Sequence, residues 1–264
     1  MFAFWRRLSR RDLFESPFPD EYRELIDKNV ALYSKLPAED RDKLERLVRI
    51  LIAEKNFVGV GGLELTEEMC VAIAARACLL VLRRVTLDDP LYPELGSVVV
   101  YPTGYQVAVE RHEGYVVVEG EEHRLGESWT HGTLVLSWRA AEEGAALPHD
   151  GHDVVLHEFA HQLDGQQGMM NGTPELPTRD RYASWAQTFS EEFEALRSDL
   201  SKNTPTDIDS YGATNPAEFF AVVTEEFFER AQTMRARHPE LYEELAQYYK
   251  LDPEELSNAP PAKG

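Results

Sequence analysis

The chain has 264 residues, 43% of them hydrophobic and 28% charged, with a formal net charge of -20 and a pI of about 4.8. This length and balance suit a globular protein, either one large domain or a core with a helical annex, and so acidic a surface repels phosphate backbones, which argues against direct nucleic-acid binding. No apolar run is long enough to span a membrane (71–82 is interrupted by Arg76), and Cys70 and Cys78 cannot make a disulfide framework.

In chain order, residues 1–17 read as a flexible lead-in whose apolar patch, Phe2 to Trp5, is too short for a signal-peptide core. Pro17 and Pro19 open a helical N-terminal region, 18–90. One helix is expected over 20–34 and a second from Pro37-Ala38-Glu39 through Glu54. Gly59, Gly61 and Gly62 break the pattern. Thr66-Glu67-Glu68 begins a third helix, to about Arg84, whose apolar positions Val71, Ile73, Ala74, Ala77, Cys78, Leu80 and Val81 predict burial on more than one face. Its two cysteines stand about 12 Å apart by helix rise, too far for a disulfide. They are expected to be buried thiols in a reducing, cytoplasmic setting.

Beyond Pro90 and Pro93 the hydrophobic period becomes that of strands. Strands are expected at 96–101 (GSVVVY), 105–110, 115–119 and 132–138 (GTLVLSW), with an exposed acidic turn at 120–123. The last strand is read as an exposed edge on which an extended peptide can pair. Its apolar Leu134, Val135 and Leu136 also suit an interior strand. A helix carrying the motif below follows after one loop, and further helices are expected over 183–196, 216–231 and 241–251. Residues 258–264 read as a disordered tail. The element pattern is that of an α+β protein, with the region 91–257 carrying the chemistry.

That chemistry is announced by His157-Glu158-Phe159-Ala160-His161, an H-E-x-x-H motif in the run VVLHEFAHQLDG. On a helix, residues four apart lie one above the other, so both imidazoles reach one metal ion. Glu158 then projects beside the ion's open position, placed to act as a general base. Gly165 marks the helix end, and Pro148 and Asp150 offer a break and a cap upstream. A buried helix with two hydrogen-bonded core histidines is the alternative. One Zn2+ per chain is the expected cofactor, given two histidines and a carboxylate.

A mononuclear zinc site of this kind needs a third protein ligand. Asp164, Glu191, Glu192 and Glu218 all compete. Glu218, in Asn215-Pro216-Ala217-Glu218, also stands where a capping carboxylate would, so spacing alone leaves ligand and cap equally open. Glu225 and Glu226 read as surface charges. His131, His149 and His152 read as loop histidines and are assigned no role. Met169 and Met170 either border the cleft or tuck onto the core. Tyr242, Tyr248 and Tyr249 either present an aromatic contact surface or join the core.

Taken together, VVVYPTGY at 98–105, GESWTHGTLVLSW at 126–138, HEFAHQLDG at 157–165 and YGATNPAE at 211–218 resemble the Mlc titration factor A family of bacterial zinc peptidases. The resemblance covers most of the chain. It implies a zincin-like fold, a mixed sheet packed on the motif helix, with a helical N-terminal region. It further implies that His157, His161 and Glu218 bind the metal, that Glu158 is catalytic, and that Tyr211 stands near the metal. The site of the anthrax lethal factor protease domain is similar. Aminopeptidase-type cleavage of a peptide substrate is implied, and so, more weakly, is binding of a transcriptional repressor of sugar uptake. The latter makes a regulatory binding protein with secondary peptidase activity the alternative.

Overall fold

The computed structural model describes residues 10, 13, 18–103, 105–113, 116–124, 126–129 and 132–258. The lead-in expected over 1–17 and the tail expected over 258–264 lie outside these residues, except for Arg10, Leu13 and Asn258.

Helix α1, Asp20–Asn29, is shorter than the expected 20–34 segment. The Asn29 side chain donates to the Leu25 carbonyl, Val30 turns extended, and a separate 3-10 turn, Tyr33–Lys35, follows. The break lets Val30 and Leu32 enter the core. Helix α2, Ala38–Glu54, matches its expected span. Helix α3, Glu67–Val81, is capped by Thr66, whose side chain accepts from the Met69 N–H. Every residue from Cys70 to Val81 is buried, the sign of a helix wrapped by structure on all sides.

The main sheet has the order β1-β2-β6-β5, formed by β1 (Asn56–Gly59), β2 (Ser97–Tyr101), β6 (Thr133–Ser137) and β5 (Gly126–Trp129). The first three run parallel, and β5 is antiparallel to β6, with Gly126 opposite Leu136 and Trp129 opposite Thr133. Strand β6 is therefore interior. Both its sides are paired, which corrects the expectation of an exposed edge there. Leu134 and Leu136 are fully buried and Val135 nearly so, as in parallel strands covered on both faces.

A separate two-stranded ribbon pairs β3 (Tyr105–Glu113) with β4 (Val116–Arg124). Residues 120–123, expected as an acidic turn, continue β4 opposite 106–109. The antiparallel backbone ladder extends through the charged stretch because pairing is made by main-chain groups, whatever the side chains.

Between β6 and the motif helix lies an unexpected helix, α4 (Trp138–Ala146), capped by Ser137, with Arg139 and Glu143 paired one turn apart. The motif helix is α5, Val154–Asp164. The chain ends in α6 (Arg179–Ser201), α7 (Pro216–Glu229), α8 (Ala231–Arg237), α9 (Pro239–Tyr249) and α10 (Pro253–Asn258). Helix α5 is central: it packs on α3, α4 and α7 and touches β5 and β6. One hydrophobic cluster runs from Phe18 through α3, the sheet and α5 to Leu251. Tyr242, Tyr248 and Tyr249 belong to it, 1%, 5% and 1% exposed, so they are core and not a contact surface. The thiols of Cys70 and Cys78 are free and buried. No helix among the described residues is long and apolar enough to cross a membrane.

Candidate metal centre

The start of α5 is set by Asp153, whose carboxylate accepts from the N–H groups of Val155 and Leu156 at 2.8 and 3.2 Å. One turn further His157 and His161 lie side by side, ring centroids 4.9 Å apart. The partner helix α7 starts in the same way. Asn215 Oδ1 accepts from Ala217 and Glu218 N–H at 2.9 and 3.0 Å, and Pro216 is the first helical residue.

Glu218 is thus a helix-start residue, but its carboxylate does not serve as the cap. Its Oε2 stands 3.1 Å from His157 Nε2 and 3.2 Å from His161 Nε2. Of the competing carboxylates, Glu218 is the one that α7 carries to the histidine pair. The ligand atoms of His157, His161 and Glu218 all lie within 4.8 Å of one another.

The others are engaged elsewhere. Asp164, 1% exposed, accepts from the N–H groups of Gly172 and Thr173 at 2.8 and 2.9 Å. It anchors the loop after the motif helix. At Gly172 (φ +76°) a Cβ would come 2.2 Å from the Pro216 carbonyl oxygen, so only glycine lets this loop pack on the start of α7. Met169 and Met170, on the same loop, are exposed. Glu191 accepts from Gln187, and Glu192 contacts His238 Nδ1 at 2.8 Å, which raises the pKa of that imidazole.

Glu158 is 4% exposed, and its Oε2 is buried with no hydrogen-bond partner among the described residues. Burial pushes its pKa up to about 7 against the opposing pull of the two imidazoles. Tyr211 sits in a 3-10 turn, Ser210–Ala213, its N–H donating to Asp209 Oδ1 at 2.7 Å. Its ring is 52% exposed and centred 5.9 Å from that of His157. It therefore stands at the mouth of the site.

The reading of Glu225 and Glu226 as surface charges is wrong: they are 6% and 5% exposed. Glu225 Oε1 lies 2.7 Å from His157 Nδ1, and its Oε2 accepts from the Asp153 N–H at 2.6 Å. Glu226 pairs with Arg230 at 3.1 Å. The available signal was spacing, since Glu225 lies seven residues after Glu218 and so shares its helix face. Of the unassigned histidines, His149 Nδ1 lies 3.0 Å from the Glu229 carbonyl, His152 is exposed, and His131 lies outside the described residues.

Electrostatically the site is built for a cation. Burial alone would depress the His157 pKa, but Glu225, Glu218 and Glu158 override it and hold the ring well above its usual value. Burial would raise Glu218, yet hydrogen bonds from both imidazoles draw it below the usual carboxylate range. Two nitrogen donors and one carboxylate oxygen lie close enough to share one ion, and Glu158, between the two histidines in sequence, has a buried carboxylate oxygen without a hydrogen-bond partner among the described residues. This donor set fits a zinc ion with an open position.

The comparisons agree in direction. The profile of a family described as glucose-regulated metallo-peptidase M90 matches residues 4–250. An uncharacterized protein of Synechocystis sp. is 41% identical over 254 residues, covering 96% of this chain and 91% of the relative. Mlc titration factor A of Serratia proteamaculans is 30% identical over 228 residues, 85% of each chain. The protein of the same name from Yersinia pestis is 29% identical over 229 residues, covering 85% of this chain and 83% of the relative.

Proposed function

Because the chain belongs to the glucose-regulated metallo-peptidase M90 family, we propose that it is a zinc-dependent peptidase of aminopeptidase type with a zincin-like catalytic region, 91–257, behind the helical region 18–90. The observation that carries the reading is Glu218 Oε2 within 3.2 Å of both imidazole Nε2 atoms, with Glu158, between the two histidines in sequence, keeping a buried Oε2 that has no hydrogen-bond partner among the described residues. His157, His161 and Glu218 would hold one Zn2+ per chain.

The ion, when bound, supplies Lewis-acid polarisation of the scissile carbonyl and makes water easier to deprotonate. Glu158 takes the proton of the attacking water on its free oxygen. Glu158 then releases that proton to the leaving amine. The Tyr211 hydroxyl donates to the oxyanion that develops on the substrate. Strand β5 ends the main sheet and touches the motif helix, so an extended peptide is taken to pair there and not on β6. The free, buried cysteines support a cytoplasmic setting.

Replacing Glu158 by Gln tests the reading. Zinc content should be unchanged, and cleavage of a peptide mixture should fall by about 10²- to 10⁴-fold. A variant that cleaves as fast as the parent removes Glu158 from its role. A second reading, a regulatory protein that binds a transcriptional repressor, is favoured by the name Mlc titration factor A carried by relatives. It gains if the zinc-loaded parent turns over no peptide.

A further inference from the structure

His157 and His161 are ring neighbours with unlike surroundings. His161 Nδ1 is buried and has no hydrogen-bond partner among the described residues. His157 Nδ1 is held at 2.7 Å by Glu225 Oε1. The other oxygen of Glu225 accepts, at 2.6 Å, the N–H of Asp153, the residue that caps the motif helix. The Asp153 carboxylate in turn pairs with Arg76 Nη1 at 3.3 and 3.2 Å, both side chains being almost wholly buried. Arg76 is fixed on α3 by its own bonds to the carbonyls of Ala72, at 3.2 Å, and Ala141, at 2.8 Å. A continuous buried chain of polar contacts thus leads from α3 through the cap of α5 and the middle of α7 to one imidazole of the site.

We propose that Glu225 is a positioning residue for the metal centre: it holds the proton of His157 on Nδ1 when Nε2 is given to the metal, and locks the ring through Asp153 to Arg76. A neutral imidazole binds a metal through the nitrogen that lacks the proton. A carboxylate on the opposite nitrogen selects that tautomer, fixes the ring plane and makes the ring a stronger donor. His157 is therefore the pre-oriented ligand of the pair, and His161 is oriented mainly by the helix that carries it. The helical N-terminal region acquires a part in metal binding, since Arg76 belongs to it. This inference rests on the reading of His157 as a ligand.

The test uses the full chain and zinc alone, with a chromophoric chelator as competitor. The variants are Glu225→Ala and Glu225→Gln, with circular dichroism of the metal-free proteins as the control for folding. Glu225→Ala should weaken zinc binding roughly 10- to 100-fold, the usual effect of removing such a partner. Glu225→Gln should fall in between, because its amide oxygen still accepts from Nδ1–H but carries no charge. NMR of the zinc-loaded proteins should show the His157 Nδ1–H proton shifted downfield and protected from exchange in the parent, and upfield and fast-exchanging in Glu225→Ala. If the alanine variant does not fold, the glutamine variant carries both readouts. Parent-like zinc affinity together with an unchanged His157 Nδ1–H signal overturns the proposal and leaves the peptidase reading standing. A parent that binds zinc tightly yet cleaves no peptide does the reverse.

Discussion

Glu218 is the residue on which two physical demands converge. As the third residue of α7 it stands where an acidic side chain favours the helix start, yet its carboxylate turns to the two imidazoles. The cap is supplied by Asn215, so replacing Glu218 by Ala should leave α7 folded. The same change should lower zinc occupancy well below one per chain, as read by metal analysis after dialysis; full occupancy would remove Glu218 from the ligand set. Tyr211→Phe separates a further role. It should keep zinc and reduce kcat by about 10²-fold, the usual cost of losing one oxyanion donor, whereas an unchanged kcat would leave Tyr211 a turn residue. His157, Glu158 and His161 could be read from sequence because one helix turn sets their geometry. Glu225 offered only its spacing from Glu218: its partner is chosen by how closely α5 and α7 approach, which that spacing does not record.

Helix α7 owes its position to an aromatic wedge. Phe219 and Phe220 are almost fully buried and meet Phe189, with Trp185 stacked on Phe189 at 3.9 Å. Phe220→Ala should cost about 3–5 kcal/mol in denaturant unfolding, the usual range for emptying such a site. A loss under 1 kcal/mol would mean that α7 is held by other contacts. At the start of α5, Asp153→Ala removes a cap, typically ~1 kcal/mol, and leaves Arg76 charged and buried without its carboxylate. Breaking a buried pair in this way costs about 3–5 kcal/mol, and Asp153→Asn, which retains an oxygen for the cap but carries no charge, should still lose most of that stability. Parent-like stability of Asp153→Asn would show that the Arg76 charge is compensated otherwise.

The long amphipathic helices and β2 were readable because each spans several periods of its pattern. Strands β1 and β5 were not, since four residues are too few for a period to show. Helix α4 stands where a single loop is expected, although Ser137 caps it, because its nine residues are too few for a helical period to show. Position in the sheet was equally out of reach: β6 looks like a possible edge until β5 folds back beside it.

Across the molecule, the excess of acid reaches inside. Glu226 is buried, and burial pushes its pKa up to about 7 against Arg230, His152 and its own bond to Arg230, with Glu225 adding to the rise. Glu229 is likewise raised to about 7 by burial, opposed by its bond from the His149 N–H and by Arg76, and assisted by Asp153 and Asp150. A carboxyl that is less acidic folded than unfolded binds more protons in the native state. Its contribution is therefore full below the ordinary carboxylate pKa and is lost as pH rises through about 7. Glu226→Gln removes that dependence. The melting temperature of the variant minus that of the parent should be more positive at pH 8 than at pH 5.5, and an equal difference at both would deny the burial cost.

The whole account depends on one cation shared by α5 and α7. Crystals of the full chain grown with excess zinc, with anomalous data collected at the zinc edge, address it. A single strong peak is expected about 2.0–2.2 Å from His157 Nε2, His161 Nε2 and a Glu218 oxygen. A fully loaded crystal whose peak lies elsewhere, or whose three side chains diverge, contradicts the account.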